Sequence, residues 1–181
     1  MRKELTYSAE IPEGVEASLE NKTLTVKSEK GENKRLFHYP GVEIKKEGNK
    51  IILNCKKATK NEKSIMGVFI AHVENMLKGV KKGFIYKLKI CSGHFPMSLE
   101  YKGNKIIINN FLGEKKPRIA KIKEGVDVKI EGDIITLEGI NKESVGQSSA
   151  VIEGSTRISN RDRRILQDGI FIIDKAGKKM H

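Results

Sequence analysis

Residues 122–138 read IKEGVDVKIEGDIITLE: apolar and polar side chains alternate, Gly132-Asp133 interrupts them, and the alternation resumes. A period of two places alternate side chains on opposite faces of a strand, and a Gly-Asp break supplies a tight turn, so this stretch predicts a β-hairpin. Residues 11–27, IPEGVEASLENKTLTVK, carry the same pattern. Laid together without a gap, Ile11 meets Ile122, Glu13-Gly14-Val15 meets Glu124-Gly125-Val126, Leu19-Glu20 meets Ile130-Glu131, and Thr25 meets Thr136. The turn Asn21-Lys22 falls on Gly132-Asp133. A match that keeps both apolar phase and turn predicts an internal duplication, hence two copies of one domain.

Three further strand candidates follow the first hairpin, around 35–39, 42–45 and 50–54. A helix is then predicted from about Thr59, with either Thr59 and Glu62 spaced as a capping box or Asn61 as the cap. Ile65, Met66, Phe69, Ile70, Val73, Met76, Leu77 and Val80 share a broad apolar arc suited to lying on a sheet, and Gly79 and Gly83 end it. The second half repeats the plan with strands near 84–91, 97–101 and 105–109, a loop over 110–118, the hairpin above and a helix capped by Asn141. The predicted fold is α+β: two tandem duplicated domains, 1–82 and 83–153, each an antiparallel-rich β-sheet unit packed on one α-helix. A basic C-terminal extension follows over 154–181.

Composition bounds the partners. The 181-residue chain has a net charge of +12, which attracts polyanions without specifying one. It contains no run of eighteen apolar residues, and MRKELTYSAEIPEG lacks the apolar core of a signal peptide, so a cytosolic location is expected. In that compartment Cys55 and Cys91 are expected as buried thiols.

The second helix is unusual on its outer side. At about 100° per residue, Val145, Ser149 and Ile152 share one face with Ser148 at its edge, while Glu143, Gly146, Gln147 and Ala150 fall opposite. That opposite face presents little side chain, so a large polar partner can approach the backbone there. The other reading is that small residues let a short helix pack tightly. Residues 154–181 then hold seven Lys and Arg against three Asp. Four of the chain's seven arginines, Arg157, Arg161, Arg163 and Arg164, lie within eight positions. A guanidinium grips phosphate at two points and stacks on bases, as an ammonium cannot, so the cluster points to nucleic acid. The loop over 110–118 is a second candidate surface, with Lys115, Lys116 and Arg118 and either an exposed Phe111 or one folded back into the core. Lys142, at the start of the second helix, completes the candidate contacts.

Signs of catalysis are weak. Cys91-Ser92-Gly93-His94 brings a thiol near an imidazole, but adjacent strand positions face apart and no orienting carboxylate is indicated. Arg161-Asp162-Arg163 lacks the rest of a kinase catalytic loop, and Gly103-Asn104-Lys105 lacks a P-loop. The four histidines are scattered, so neither a metal site nor a cofactor is expected. Binding is favoured over catalysis.

The stretches IPEGV at 11–15, ENMLKGVKKGF at 74–84, NNFLGEK at 109–115, GINKESVGQSSA at 139–150 and TRISNRDRRILQDGIF at 156–171 stand out. Together they resemble the large-subunit ribosomal protein L-six family in its archaeal and eukaryotic branch, called L-nine in eukaryotes. The resemblance implies a non-enzymatic, ribosome-bound protein with neighbouring large-subunit proteins as partners and no membrane or small-molecule substrate. It also implies that the C-terminal domain and tail dock on large-subunit rRNA near the sarcin-ricin region where translation factors bind. In that picture Gly146, Gln147 and Ala150 meet RNA backbone, and Arg157, Arg161, Arg163 and Arg164 reach phosphates. Two rival readings are a protein-interaction adaptor that uses its sheet edges, and a thiol hydrolase that uses Cys91.

Overall fold

A computed structural model describes residues 3–162 and 164–180. Arg163, one of the predicted contacts, lies outside the described residues. The chain divides into two units, Met1–Gly83 and Phe84–His181.

The first unit runs through β1 (Lys3–Glu10), β2 (Glu16–Glu20), β3 (Thr23–Ser28), β4 (Gly31–Leu36), β5 (Glu43–Glu47), β6 (Lys50–Ala58) and α1 (Lys60–Lys82). Its strands form two antiparallel sheets, in the orders β1-β6-β5 and β2-β3-β4. Thr59 opens α1: its backbone N–H donates to the Glu62 carboxylate at 2.8 Å, and its hydroxyl accepts from the Asn61 N–H at 3.3 Å. Gly83 closes the helix at φ 77°, a left-handed conformation that a residue without a Cβ adopts readily. Met66, Val73, Met76, Leu77 and Val80 are buried along the predicted arc. Cys55 is buried among Leu53, Ala58 and Met66.

The second unit repeats this order: β7 (Phe84–Cys91), β8 (Ser98–Lys102), β9 (Lys105–Asn109), β10 (Arg118–Lys121), β11 (Val126–Glu131), β12 (Ile134–Gly139) and α2 (Lys142–Ser155). The strand orders β10-β9-β8 and β11-β12-β7 mirror those of the first unit. Duplication is therefore real, but the hairpin at 122–138 has a different counterpart from the one its sequence suggested. Its equivalent is β5–β6, not β2–β3. Val42-Glu43-Ile44-Lys45 lies where Val126-Asp127-Val128-Lys129 lies, and the fully buried pairs Ile51/Ile135 and Leu53/Leu137 coincide. The turn glycines agree as well: Gly41 and Gly125 have φ 81° and 74°, and Gly48 and Gly132 have φ 57° and 56°. Alternation and a tight turn are common to every short hairpin, so the chance likeness of IPEGV to IKEGV selected the wrong partner.

Residues 154–181, expected as an extension, fold back into the second unit. β13 (Gly169–Lys175) pairs antiparallel with β7, and β14 (Lys178–Lys179) pairs with β13, giving a five-stranded sheet β11-β12-β7-β13-β14. Ile170 is fully buried in the core with Leu88, Ile135, Val145 and Ile152. The apolar run Ile170 to Ile173 is thus a sheet strand, and Arg157, Arg161 and Arg164 before it sit in a loop anchored at both ends.

Candidate nucleic-acid interface

Helix α2 begins where Asn141, in extended conformation, accepts a hydrogen bond from the Glu143 N–H at 2.9 Å. It lies close on the sheet because its contacting positions are small. A Cβ placed on Gly139 would stand 2.8 Å from both the Gly125 carbonyl oxygen and a Val145 methyl. Val145, Ser148, Ser149 and Ile152 are fully buried. Both serines are satisfied: Ser148 Oγ accepts from the Lys123 N–H at 3.0 Å, and Ser149 Oγ donates to the Gly146 carbonyl at 2.8 Å. Ser148, placed at the edge of the inner face by its spacing, therefore belongs fully to it.

The outer face carries exposed Glu143, Gln147, Ala150, Val151 and Gly154. Gly146 differs from its predicted place. It is half-buried over Tyr86, whose phenol oxygen would be 3.6 Å from a Cβ at that position. It lines the seam between helix and sheet, so the open face narrows to Gln147, Ala150 and Gly154.

The segment after α2 is held by three clamps. At the helix end, Ile170 N–H donates to Thr156 Oγ1 at 2.9 Å and Ile172 N–H donates to Glu153 Oε1 at 3.1 Å, stitching α2 to β13. At the far end, the buried Asp168 carboxylate accepts from the Gly93 N–H at 3.0 Å, the His94 N–H at 3.2 Å and the His94 imidazole Nδ1 at 3.1 Å. Burial would raise the Asp168 pKa, but the hydrogen bonds from Gly93 and His94 outweigh it and hold the carboxyl below its usual range.

The third clamp is Arg118, and it corrects an expectation. Its Nε donates to the Glu114 carboxylate at 2.8 Å, its Nη1 donates to the Ser155 carbonyl at 2.8 Å and the Arg157 carbonyl at 3.3 Å, and its guanidinium stacks 4.2 Å from the Phe111 ring centroid. Its hydrogen bond holds the Glu114 carboxyl below the ordinary range. Arg118 spends its donors on its own chain, as a strut that caps the last carbonyls of α2. Phe111 is buried in the core, the second of its two expected positions.

The remaining basic groups face outward. Arg157, Arg161, Lys115 and Lys116 are exposed and have no carboxylate partner among the described residues. Arg164 pairs with Asp162 at 2.7 Å while its side chain stays 89% exposed, and it draws the Asp162 carboxyl below its usual range. Lys142 is exposed with its ammonium 5.7 Å from the Phe84 ring centroid. At 1.5 Å of rise per residue it stands roughly 20 Å from the loop, at the other end of α2. The structure therefore gathers Ala150, Gly154 and Arg157 in one place and leaves Lys142 apart.

Two grooves flank the loop. One of about 880 Å³ is lined by Ala150, Gly154, Arg157, Cys91, Leu166 and Phe171; the other, about 480 Å³, by His94, Phe95, Leu112, Arg161, Ile165 and Leu166. Cys91 and His94 open into different grooves and share no hydrogen bond. His94 does have the orienting carboxylate that sequence spacing could not reveal, since Asp168 lies 74 positions downstream.

Comparison with known proteins decides the lineage. A model of the ribosomal protein L6 family matches residues 11–83 and again 95–169, two repeats in the places where the two units fold. The chain belongs to the ribosomal protein L6 family. It is 47% identical over 169 residues, 93% of each chain, to the large ribosomal subunit protein uL6 of Methanococcus vannielii. It is 45% identical over 176 residues to that of Methanosarcina mazei, covering 97% of this chain and all of the relative. Membership in the L6 family accounts for the repeated unit and makes this a ribosomal protein.

Proposed function

We propose that the chain is a structural constituent of the large ribosomal subunit, docked through its C-terminal unit on large-subunit rRNA near the sarcin-ricin and factor-binding region. The observation that carries this reading is the loop of exposed arginines, clamped at both ends, beside the small-residue face of α2. A clamped loop has already lost its conformational freedom, so less entropy is lost on binding. A-form RNA hides its base edges in a deep, narrow groove, and a preset array of cations reads the backbone shape instead. Gln147, Ala150 and Gly154 let backbone approach, Arg157, Arg161, Arg163 and Arg164 reach phosphates, Lys115, Lys116 and Lys142 add charge at the margins, and Gly146 and Arg118 set the surface from within.

Sedimentation tests the reading. Tagged protein should travel with large subunits on a sucrose gradient and stay bound through a moderate-salt wash. Binding to purified rRNA should weaken with salt, with a log-log slope of order −4 to −5 for about six phosphates. The triple variant Arg157→Ala, Arg161→Ala, Arg164→Ala should fold normally and bind weakly. A flat salt response, or partners retained after nuclease treatment, would favour the adaptor reading instead.

A further inference from the structure

Phe95 is out of place for an apolar side chain in this fold. It is 46% exposed, whereas Phe111 in the same unit is buried. Yet Phe95 is not loose. A Cβ on Gly113, where φ is 77°, would stand in ordinary contact with its ring at 3.5 Å, so the ring lies beside the 110–118 loop. Its neighbours Gly93 and His94 are held by three hydrogen bonds to Asp168. His94 gives its Nδ1 to Asp168 while its side chain stays 54% exposed. Across the groove stands Arg161, exposed and without a carboxylate partner among the described residues. Asp162, which also lines the groove, is occupied by Arg164, and Asp168 is occupied by His94, so the groove presents an apolar floor with Arg161 as a cation at its edge, unpaired among the described residues.

We propose that this groove is a stacking site for one unpaired RNA base, with Phe95 as the platform and Arg161 on the adjoining phosphate. A half-exposed aromatic ring beside the 110–118 loop suits the flat face of a base, and stacking tolerates any base because each has a π-face. The guanidinium of Arg161 beside the apolar floor favours a nucleotide over the apolar side chain of a protein partner. The site lies on the β7–β8 turn and not on α2 or its arginine loop alone, so it deepens the rRNA reading above and rests on it.

The test uses the full chain with deproteinised large-subunit rRNA. Ultraviolet irradiation followed by nuclease and trypsin should leave a nucleotide adduct on the peptide of residues 90–102, at Phe95. In filter binding, Phe95→Ala should lower affinity about fivefold or more at every salt concentration while leaving the salt slope unchanged. Phe95→Tyr should restore affinity, and Arg161→Ala should reduce the slope by about one. Because Phe95 is half exposed and outside the core, the variant's melting temperature should match that of the parent. Parental affinity in Phe95→Ala, with the arginine variants impaired, would overturn the stacking site and leave rRNA docking standing. Failure of the unaltered chain to bind the rRNA would overturn both.

Discussion

The two units share seven elements in the same order, yet they differ at one sheet edge. In the first unit β1 lies at the edge of its three-stranded sheet; in the second, the equivalent strand β7 is covered by β13. That added strand separates a repeated scaffold from a candidate site. By returning to β7, it turns what would be a free basic tail into a loop with two fixed ends, and it draws that loop against the exposed face of α2. The helices differ in the same sense: α1 has 23 residues with Lys63, Glu74 and Lys78 outward, whereas α2 has 14 and presents Gln147, Ala150 and Gly154. Duplication supplied the platform; an asymmetric addition supplied the surface.

The comparison breaks most severely if β13 is expendable. Ile170→Ala removes a fully buried side chain from the strand that the first unit lacks, and it should cost about 2–5 kcal/mol. Hydrogen exchange measured by mass spectrometry should show lost protection in β7, β13 and α2 and none in β1 to β6. Uniform loss across both units would mean that they do not respond separately.

Asp168→Asn comes next, at about 1.5–3 kcal/mol for a buried charged acceptor. The sign of its pH dependence follows from its depressed pKa. The carboxylate contributes stability in full above the unfolded-state value, and that contribution is lost as pH falls through the lower folded-state value. Urea denaturation should therefore show the variant weaker than the parent at pH 7, with the gap closing below pH 3.8. A gap that persists in strong acid would assign the effect to packing.

Gly139→Ala tests why α2 can sit so close. The position equivalent in β6 holds Cys55, which has room for its side chain, whereas at Gly139 a methyl would press on Gly125 and Val145. Overpacking should cost about 1–3 kcal/mol, against less for Cys55→Ala. Denaturation of both variants checks the ranking.

How much of this was legible in the chain depends on whether the signal was local. The caps at Thr59 and Asn141, the strands at 84–91 and 105–109, and the buried face of α2 follow from side chains within one or two turns of each other. β1 escaped because its Leu5, Tyr7 and Ala9 alternate weakly among charged residues, and β10 because four residues after a proline carry little periodicity. The apolar run at 170–173 was visible as too greasy to float, but only its partner β7, some eighty residues away, makes it a strand. The same distance hid the Asp168 clasp and the strut role of Arg118. Composition marks an arginine as a phosphate ligand; only geometry shows that its donors are already engaged.

The smallest effect separates charge that holds the protein together from charge that faces a partner. Each unit has an exposed acid flanked by bases: Glu32 between Lys34 and Lys27 in the first, and Asp162 beside Arg164 in the second. In both the carboxyl is held below its usual range by hydrogen bonds from those bases. Solvent screens such pairs, so neither Lys34→Ala nor Arg164→Ala should move the melting temperature measurably. Their effects on rRNA binding should diverge. If Arg164 holds a phosphate as proposed, its loss should lower the salt slope by about 0.7 to 0.9, while the loss of Lys34 should leave it unchanged. Equal slopes for the two variants would mean that the arginine loop acts only as bulk positive charge. The asymmetry between the units would then lie in folding alone.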